Sequence, residues 1–286
     1  MKFSRPITEL AAMRSSHRSF SSRPLDKALM ERIGAMLKNL PFPPFSGNVR
    51  FDLVDAAGHF DGAPRRLGTY GVIRGARCFI VGAVRKAPRA MEDFGYLMEA
   101  VILGLTDLGL GTCWLGGTFY RSEFARSIGA TDEEVVPAIT PVGYPAANRG
   151  ITDRIIRWSA GSKKRRAMEE LFFVSGFSRP AEKADIKPHA EALDAVRMAP
   201  SASNLQPWRL VLEENNGIVH FFLVRSRGYD RIIRAVDLQR IDMGIAMCHF
   251  EMSKRDTAAP GRWDERPPCF SGLSEKTEYI ASWVPE

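Results

Sequence analysis

The chain has 286 residues with a net charge of +7, and 45% of its residues are hydrophobic against 26% charged. This composition supplies a buried core and excludes a disordered chain, and the length fits one large domain or two ordinary ones. The longest apolar region, 101–117, contains Asp107 and five glycines, so it is too broken and too short to span a membrane. The first residues lack the long apolar stretch of a secretory signal, and we expect a cytoplasmic protein.

Apolar spacing and turn residues predict helices and strands that alternate along the chain. In chain order, the predicted helices are Ile7–Arg14, Asp26–Lys38, Phe94–Leu108, Ser122–Ile128, Pro188–Met198 and Leu238–Lys254. The predicted strands are Val49–Asp55, Cys78–Val84, Val136–Val142, Trp208–Glu213 and Ile218–Val224. Such a mixture indicates an α/β or α+β sandwich. The last stretch, 261–286, has mixed charges and a Pro-Pro pair, and we expect it to be irregular.

The cysteines and histidines do not form a recognisable reactive site. Cys78, Cys113, Cys248 and Cys269 are scattered, with neither a C-x-x-C pair nor a histidine at metal-ligand spacing. We therefore expect no disulfide framework and no bound metal. No histidine lies in a nucleophile motif, so the sequence predicts no catalytic side chain of its own.

Two sequence features occur twice, which indicates an internal duplication. The first is a turn with Pro, Ser and Asn ahead of an alternating strand, at 44–48 and again at 200–204. The second is Asp-x-Gly in a helix with a tryptophan 21 residues after the aspartate, and its two copies are Asp93 with Trp114 and Asp242 with Trp263. We predict two related halves, 1–166 and 167–286, of which the second is the shorter.

A basic segment after the first helix has the composition of a phosphate site. Arg14, Ser16 and Arg18 occupy alternate positions, so in an extended segment their side chains point to one side. Two guanidinium forks and a hydroxyl suit a phosphate dianion. An ordinary polar turn after the helix is the alternative that the spacing alone leaves open.

Five segments together resemble the flavin-dependent nitroreductase family. They are RSSHRSF from Arg14, LGLGTCWLGG from Leu108, AITPVGYP from Ala138, KKRRAMEEL from Lys163 and PSASNLQPW from Pro200. The resemblance runs from Arg14 to Trp263. It implies an α+β fold built as a three-layer α/β/α sandwich, with FMN as the bound cofactor.

The resemblance also implies which residues bind the flavin. The FMN phosphate is expected at Arg14, Ser16, Arg18, Lys163 and Arg165. The isoalloxazine ring is expected to meet Pro200, Ser201, Ala202 and Asn204, together with the loop of Leu115, Gly116 and Gly117. A backbone N–H of that loop approaches the reactive flavin nitrogen in the family, and glycine permits such a close approach.

The order of these segments departs from that of single-domain members of the family. The complete Pro-Ser-x-x-Asn-x-Gln-Pro-Trp segment lies in the second half, and the first-half copy at 44–48 lacks Gln-Pro-Trp. The second half, conversely, lacks the Arg-x-Ser-x-Arg box. Each half keeps what the other lacks, so we predict an internal pseudo-dimer that acts as a monomer, with one complete flavin site and one degenerate site.

These expectations describe an FMN-dependent NAD(P)H oxidoreductase. NADH or NADPH would supply a hydride, and a nitroaromatic, quinone or similar small-molecule acceptor would then receive it in a ping-pong sequence, with the redox chemistry belonging to the flavin. The alternative is a non-catalytic protein of the same fold that binds FMN or another planar ligand. The charge permits nucleic-acid binding, but the chain lacks aromatic–basic interleaving and any recognised module. We expect neither a nucleic-acid nor a membrane partner.

Overall fold

The computed structural model describes residues 1–55, 69, 71–117, 119–147, 164–226, 236–270 and 273–286. The helices in these ranges are α1 (Ile7–Met13), α2 (Lys27–Lys38), α3 (Ala90–Asp107), α4 (Arg121–Ser127), α5 (Met168–Leu171), α6 (Lys183–Ile186), α7 (Ala190–Met198) and α8 (Leu238–Asp256). The strands are β1 (Val49–Asp55), β2 (Cys78–Arg85), β3 (Gly111–Thr112), β4 (Glu134–Val135), β5 (Ile139–Gly143), β6 (Phe172–Val174), β7 (Trp208–Leu212), β8 (Val219–Val224), β9 (Gly261–Asp264) and β10 (Thr277–Pro285). Every predicted helix and strand is confirmed, with ends displaced by up to four residues.

The first sheet is antiparallel, with the order β1-β2-β5-β3 and with β4 paired to the end of β2. Side chains along β2 alternate between the two faces of the sheet. Cys78 and Ile80 join the core that contains α3, whereas Phe79 and Val81 join a second cluster with Phe124 of α4. Both faces of β2 are buried, which explains why this strand is an unbroken apolar run.

The second sheet has the order β6-β7-β8-β10-β9, in which β6 runs parallel to β7 and the other pairs are antiparallel. The expectation that 261–286 is irregular is wrong, because this stretch supplies β9 and the nine-residue β10. A register shift between Tyr279 and Ala281 interrupts the pairing of β10 with β8. Such a bulge breaks the period of two by which a strand is recognised in a sequence.

Two long helices, α3 and α8, pack against each other, α3 against β2 of the first sheet and α8 against β8 of the second. Gly95 and Gly244 allow the backbones of these helices to come close together. A Cβ on Gly95 would overlap the carbonyl oxygen of Ile241, and one on Gly244 would overlap that of Glu92. Because α3 is covered by a sheet and by the partner helix, residues 92–106 are all buried, and the helix has no exposed polar face.

Buried charged side chains lie in both long helices, which have 18 and 19 residues. They are Glu92, Asp93 and Glu99 in α3, and Asp242, Glu251 and Lys254 in α8. Within the described ranges, none of the helices is both long enough and apolar enough to cross a membrane.

Candidate functional site

The predicted phosphate box is extended, as its alternating pattern requires. Ser16 forms a β-bridge with Thr112, and Ser19 forms one with Arg74. The carbonyl of Arg18 accepts a hydrogen bond from the backbone N–H of Arg74 at 2.8 Å. This backbone pairing holds the box against residues that border the first sheet.

Three arginines from separate parts of the chain form a basic cluster: Arg14 at the end of α1, Arg165 ahead of α5, and Arg197 in the last turn of α7. Burial, together with the charges of Arg14 and Arg197, lowers the pKa of Arg165. The Nε of Arg14 is buried and has no hydrogen-bond partner among the described residues, and it lies 4.0 Å from Oε1 of Glu99. Positive charges from separate elements that act on one partly buried group favour the binding of an anion.

Arg165 joins two of the predicted sets of flavin-binding residues. Its Nη1 donates to Oδ1 of Asn204 at 2.9 Å, and its Nη2 donates to the carbonyl of Met198 at 3.0 Å. The side-chain amide of Asn204 donates to the carbonyl of Lys164 at 2.8 Å. The structure therefore places a predicted phosphate residue in direct contact with the predicted ring-binding turn.

The first turns of α8 contact both segments that were predicted to meet the flavin ring. Oδ1 of Asp242 accepts a hydrogen bond from the backbone N–H of Ala202 at 2.9 Å. Leu238 packs against Gly116, where an added Cβ would lie 2.7 Å from the leucine Cδ2. Residues four apart lie on one face of a helix, so the glycine loop and the turn at 200–204 meet the same side of α8.

The glycine loop is anchored at one end and exposed at the other. Leu115 is buried and exchanges two backbone hydrogen bonds of 3.0 Å with Ile139. The carbonyl of Gly116 accepts a hydrogen bond from Nη2 of Arg121 at 2.9 Å. Gly117 is exposed, so the loop presents backbone to solvent directly after a fixed point.

Side-chain hydrogen bonds also fix the turn that begins at Pro200. The hydroxyl of Ser201 accepts from the backbone N–H of Gln206 at 2.9 Å. Oε1 of Gln206 accepts from the backbone N–H of Arg166 at 2.9 Å. Asn204 has a φ of 56°, a left-handed conformation that asparagine tolerates better than most residues.

The sequence reasoning missed two residues of this site, and one predicted residue cannot be placed. Gln206 lies inside the PSASNLQPW segment, so the motif itself could have pointed to it, whereas Arg197 stands three positions before that segment. Lys163 lies outside the described residues. Ser16 has its backbone contact with the first sheet rather than with the turn.

The first-half copy of the turn, at 44–48, is held by a carboxylate of α3, just as Asp242 of α8 holds the turn at 200–204. Oδ1 of Asp93 accepts from the N–H of Phe45 at 2.9 Å, and Oδ2 accepts from the N–H of Gly47 at 2.6 Å. Burial raises the pKa of Asp93 to about 6, although these two hydrogen bonds oppose the shift. Burial likewise raises the pKa of Asp242 well above its ordinary value.

The raised pKa of Asp93 predicts a pH-dependent stability. The folded protein holds this proton up to a pH of about 6, whereas the unfolded chain releases it near pH 4. Protonated Asp93 therefore contributes fully to the free energy of unfolding below pH 4. As the pH rises to 6 this contribution is lost, and the free energy of unfolding falls by about 2–3 kcal/mol.

Asp93→Asn removes this titration. The free energy of unfolding, measured with urea from pH 4 to pH 7, should shift in favour of the variant relative to wild type by about 2–3 kcal/mol. A difference that stays constant across this range would contradict the assignment.

Comparison with solved structures places this architecture among the nitroreductases. A nitroreductase of Thermotoga maritima, TM1586, aligns over 99% of this chain and 95% of its own with a TM-score of 0.60 and 19% identity. Two further similar structures cover about half of this chain. One is a nitroreductase family protein of Clostridium novyi NT (22% identity, 54% of this chain, 91% of that chain, TM-score 0.38). The other is an FMN-dependent nitroreductase of Clostridium difficile R20291 (18% identity, 49% of this chain, 88% of that chain, TM-score 0.39).

The mixed helix-and-sheet fold is therefore of the nitroreductase type. A family model described as TM nitroreductase matches residues 6–254, and the chain belongs to this family. No match is found among curated proteins. Membership gives the chain a general nitroreductase-like function, that of an oxidoreductase.

Proposed function

We propose that the protein is an FMN-dependent NAD(P)H oxidoreductase that transfers a hydride, in a ping-pong sequence, to a nitroaromatic, quinone or similar small-molecule acceptor. The observation that carries the proposal is the 2.9 Å contact between Arg165 and Asn204. This contact joins the basic cluster to the turn that the family resemblance assigns to the flavin ring. Family membership supports the class of reaction, and the site supports the cofactor.

The described side chains fit a phosphate monoester. Arg14, Arg165 and Arg197 come from three separate parts of the chain, and the charges of Arg14 and Arg197 both act on Arg165. A phosphate dianion would supply the missing negative charge and would accept paired N–H donors from these forks. We include Ser16 and Arg18, on the adjoining extended segment, in the same phosphate site.

The glycine loop and the turn at 200–204 fit the remainder of the cofactor. The exposed Gly117 presents loop backbone that a planar group can approach closely, and Leu238 of α8 packs against the preceding Gly116. Bound FMN would supply the two-electron chemistry. The chain itself binds the phosphate, orients the ring through the loop and the turn, and fixes both segments on α8.

We also propose that the halves 1–166 and 167–286 form an internal pseudo-dimer of α/β/α layers that works as a monomer. The repeated residues have equivalent partners in the two halves, which supports the duplication. Asp93 accepts two backbone N–H groups of one turn, and Asp242 accepts one from the other turn. Trp114 and Trp263 each donate to a buried glutamate of a long helix at 2.7 Å.

The second, degenerate position is proposed to be closed by charged side chains. Gly116 lies two residues after Trp114, whereas Glu265 stands two residues after Trp263. The carboxylate of Glu265 lies 3.6 Å from Nε of Arg89. The ion pair of Arg89 and Glu265 therefore stands at the second position where Gly116 and Leu238 stand at the first. This difference supports one flavin per chain.

The experiment that tests this function is the visible absorption spectrum of the purified protein, recorded before and after incubation with FMN and removal of the excess. We expect about one flavin per chain, reduced by NADH or NADPH without oxygen and reoxidised by a nitroaromatic or a quinone. No bound flavin would overturn the proposal, and two per chain would contradict the single site. Flavin that is bound but never reduced would favour the non-catalytic alternative.

Arg18→Glu tests the phosphate site directly. The variant places a carboxylate beside the phosphate, so we expect FMN affinity to fall by about 100-fold or more, while riboflavin, which has no phosphate, is affected much less. Arg23→Glu in the same segment is the control, because the Arg23 guanidinium stacks on Tyr144 at 4.2 Å. Equal losses of FMN affinity in the two variants would argue against the assignment.

A further inference from the structure

Glu99 is a buried carboxylate that no flavin-binding motif accounts for. It lies in α3 and has no exposed surface. Its Oε2 accepts from Nε1 of Trp114 at 2.7 Å, and its Oε1 lies 2.9 Å from Nε2 of His249 in α8. An ionised carboxylate can only accept, so it pairs with the tautomer of His249 that has its proton on Nε2. Two N–H donors from different elements therefore fix the orientation of this carboxylate.

The carboxylate fixed in this way faces the basic cluster. Its Oε1 lies 4.0 Å from Nε of Arg14, and the Arg14 side chain is only 8% exposed. The negative charge therefore stands at the Nε edge of the guanidinium. Among the described residues no hydrogen bond occupies the two terminal nitrogens, which form the other edge of the fork and can bind phosphate oxygens.

We propose that Glu99 is a positioning residue of the flavin site, which holds Arg14 in the orientation that binds the FMN phosphate. The inference rests on the proposed function and adds a residue to it. The long helix α3 thereby links the phosphate box both to Trp114, which directly precedes the glycine loop, and to His249 of the second half.

The chain contains a matched control for this role. Glu251 in α8 accepts from Nε1 of Trp263 at 2.7 Å, just as Glu99 accepts from Trp114. Its other oxygen accepts from Arg255 at 2.5 Å, one turn along the same helix and outside the basic cluster. The two glutamates share burial and an indole partner, and they differ in their second partner, His249 or Arg255, and in whether they face Arg14.

The test compares Glu99→Gln with Glu251→Gln by measuring dissociation constants for FMN and for riboflavin. A glutamine has one acceptor oxygen and two N–H groups, so it cannot accept from both Trp114 and His249 while facing Arg14. We expect Glu99→Gln to lower the preference for FMN over riboflavin by about tenfold or more, and Glu251→Gln to leave that preference unchanged. A purely structural role would weaken both ligands by the same factor and would leave the preference intact.

A double-mutant cycle with Arg14→Lys shows whether Glu99 acts through Arg14. If it does, the loss of preference in the double variant equals that of Arg14→Lys alone; additive losses would overturn the proposal. Should Glu99→Gln fail to fold, Glu99→Asp is the second variant, because it moves the carboxylate away from Arg14 by one methylene group. It must lower the preference for FMN over riboflavin, and an unchanged preference would overturn the inference. Wild-type protein that binds no FMN would instead overturn the proposed function itself.

Discussion

Gly244→Ala is expected to destabilise the folded protein by about 3 kcal/mol or more, as overpacking at a closed contact does. The added methyl group would overlap the carbonyl oxygen of Glu92 in α3. A carbonyl in a helix cannot rotate away without loss of its hydrogen bond, so α3 and α8 would have to separate. Gly95→Ala should act similarly, because its methyl group would overlap the carbonyl of Ile241.

The control for this prediction is Gly34→Ala in the interior of α2, where an added Cβ has no neighbour within 4 Å. Alanine favours a helix over glycine, so we expect this variant to be more stable than wild type by about 0.5–1 kcal/mol. Unfolding in urea, followed by circular dichroism, measures both changes. A Gly244→Ala protein as stable as wild type would show that the helices do not meet at this contact.

Asn204→Leu is expected to weaken FMN binding by about 10- to 100-fold, the equivalent of one or two hydrogen bonds. Leucine loses the contacts of the asparagine side chain with Arg165 at 2.9 Å and with the carbonyl of Lys164 at 2.8 Å. It would also have to adopt the left-handed conformation of Asn204, with a φ of 56°, which costs about 1 kcal/mol or more for such a side chain. Fluorescence titration with FMN measures the change.

Asn48→Leu is the matched control, because Asn48 ends the first-half copy of the same turn. Asn48 is exposed, and the proposed single site does not include it. We therefore expect its FMN affinity to stay within about twofold of wild type, as for a surface substitution away from the site. If the two substitutions weaken FMN binding equally, the turn at 200–204 has no special role in the site, and the assignment is contradicted.

The sequence predicted the elements whose periodicity is regular. β1 lies at the predicted positions, Val49–Asp55, because its turn signals and alternation agree. β10 was missed because a bulge at Tyr279 breaks the alternation and a Pro-Pro pair lies between β9 and β10. Only pairing with β8 on one side and β9 on the other fixes that segment as a strand.

The candidate site likewise contains residues that the sequence could indicate and residues that only the fold brings together. PSASNLQPW and RSSHRSF could be recognised as motifs because the residues of each are contiguous. Glu99 carries no local signal, since its role depends on Trp114 and on His249, which is 150 residues away in the chain. Arg197 was missed because its neighbours in space, Arg14 and Arg165, are separated from it in sequence.

The sequence by itself determined the family and the order of the regular helices and strands, and it supplied the residue types of the proposed phosphate site, because these depend on local spacing and on side-chain chemistry. The tertiary structure decided which of those residues meet. The approach of α3 and α8 at two glycines places the turn at 200–204 and the glycine loop on one face of α8. Contacts between distant residues depend on how whole helices and strands pack, and the spacing of residues within one segment does not determine that packing.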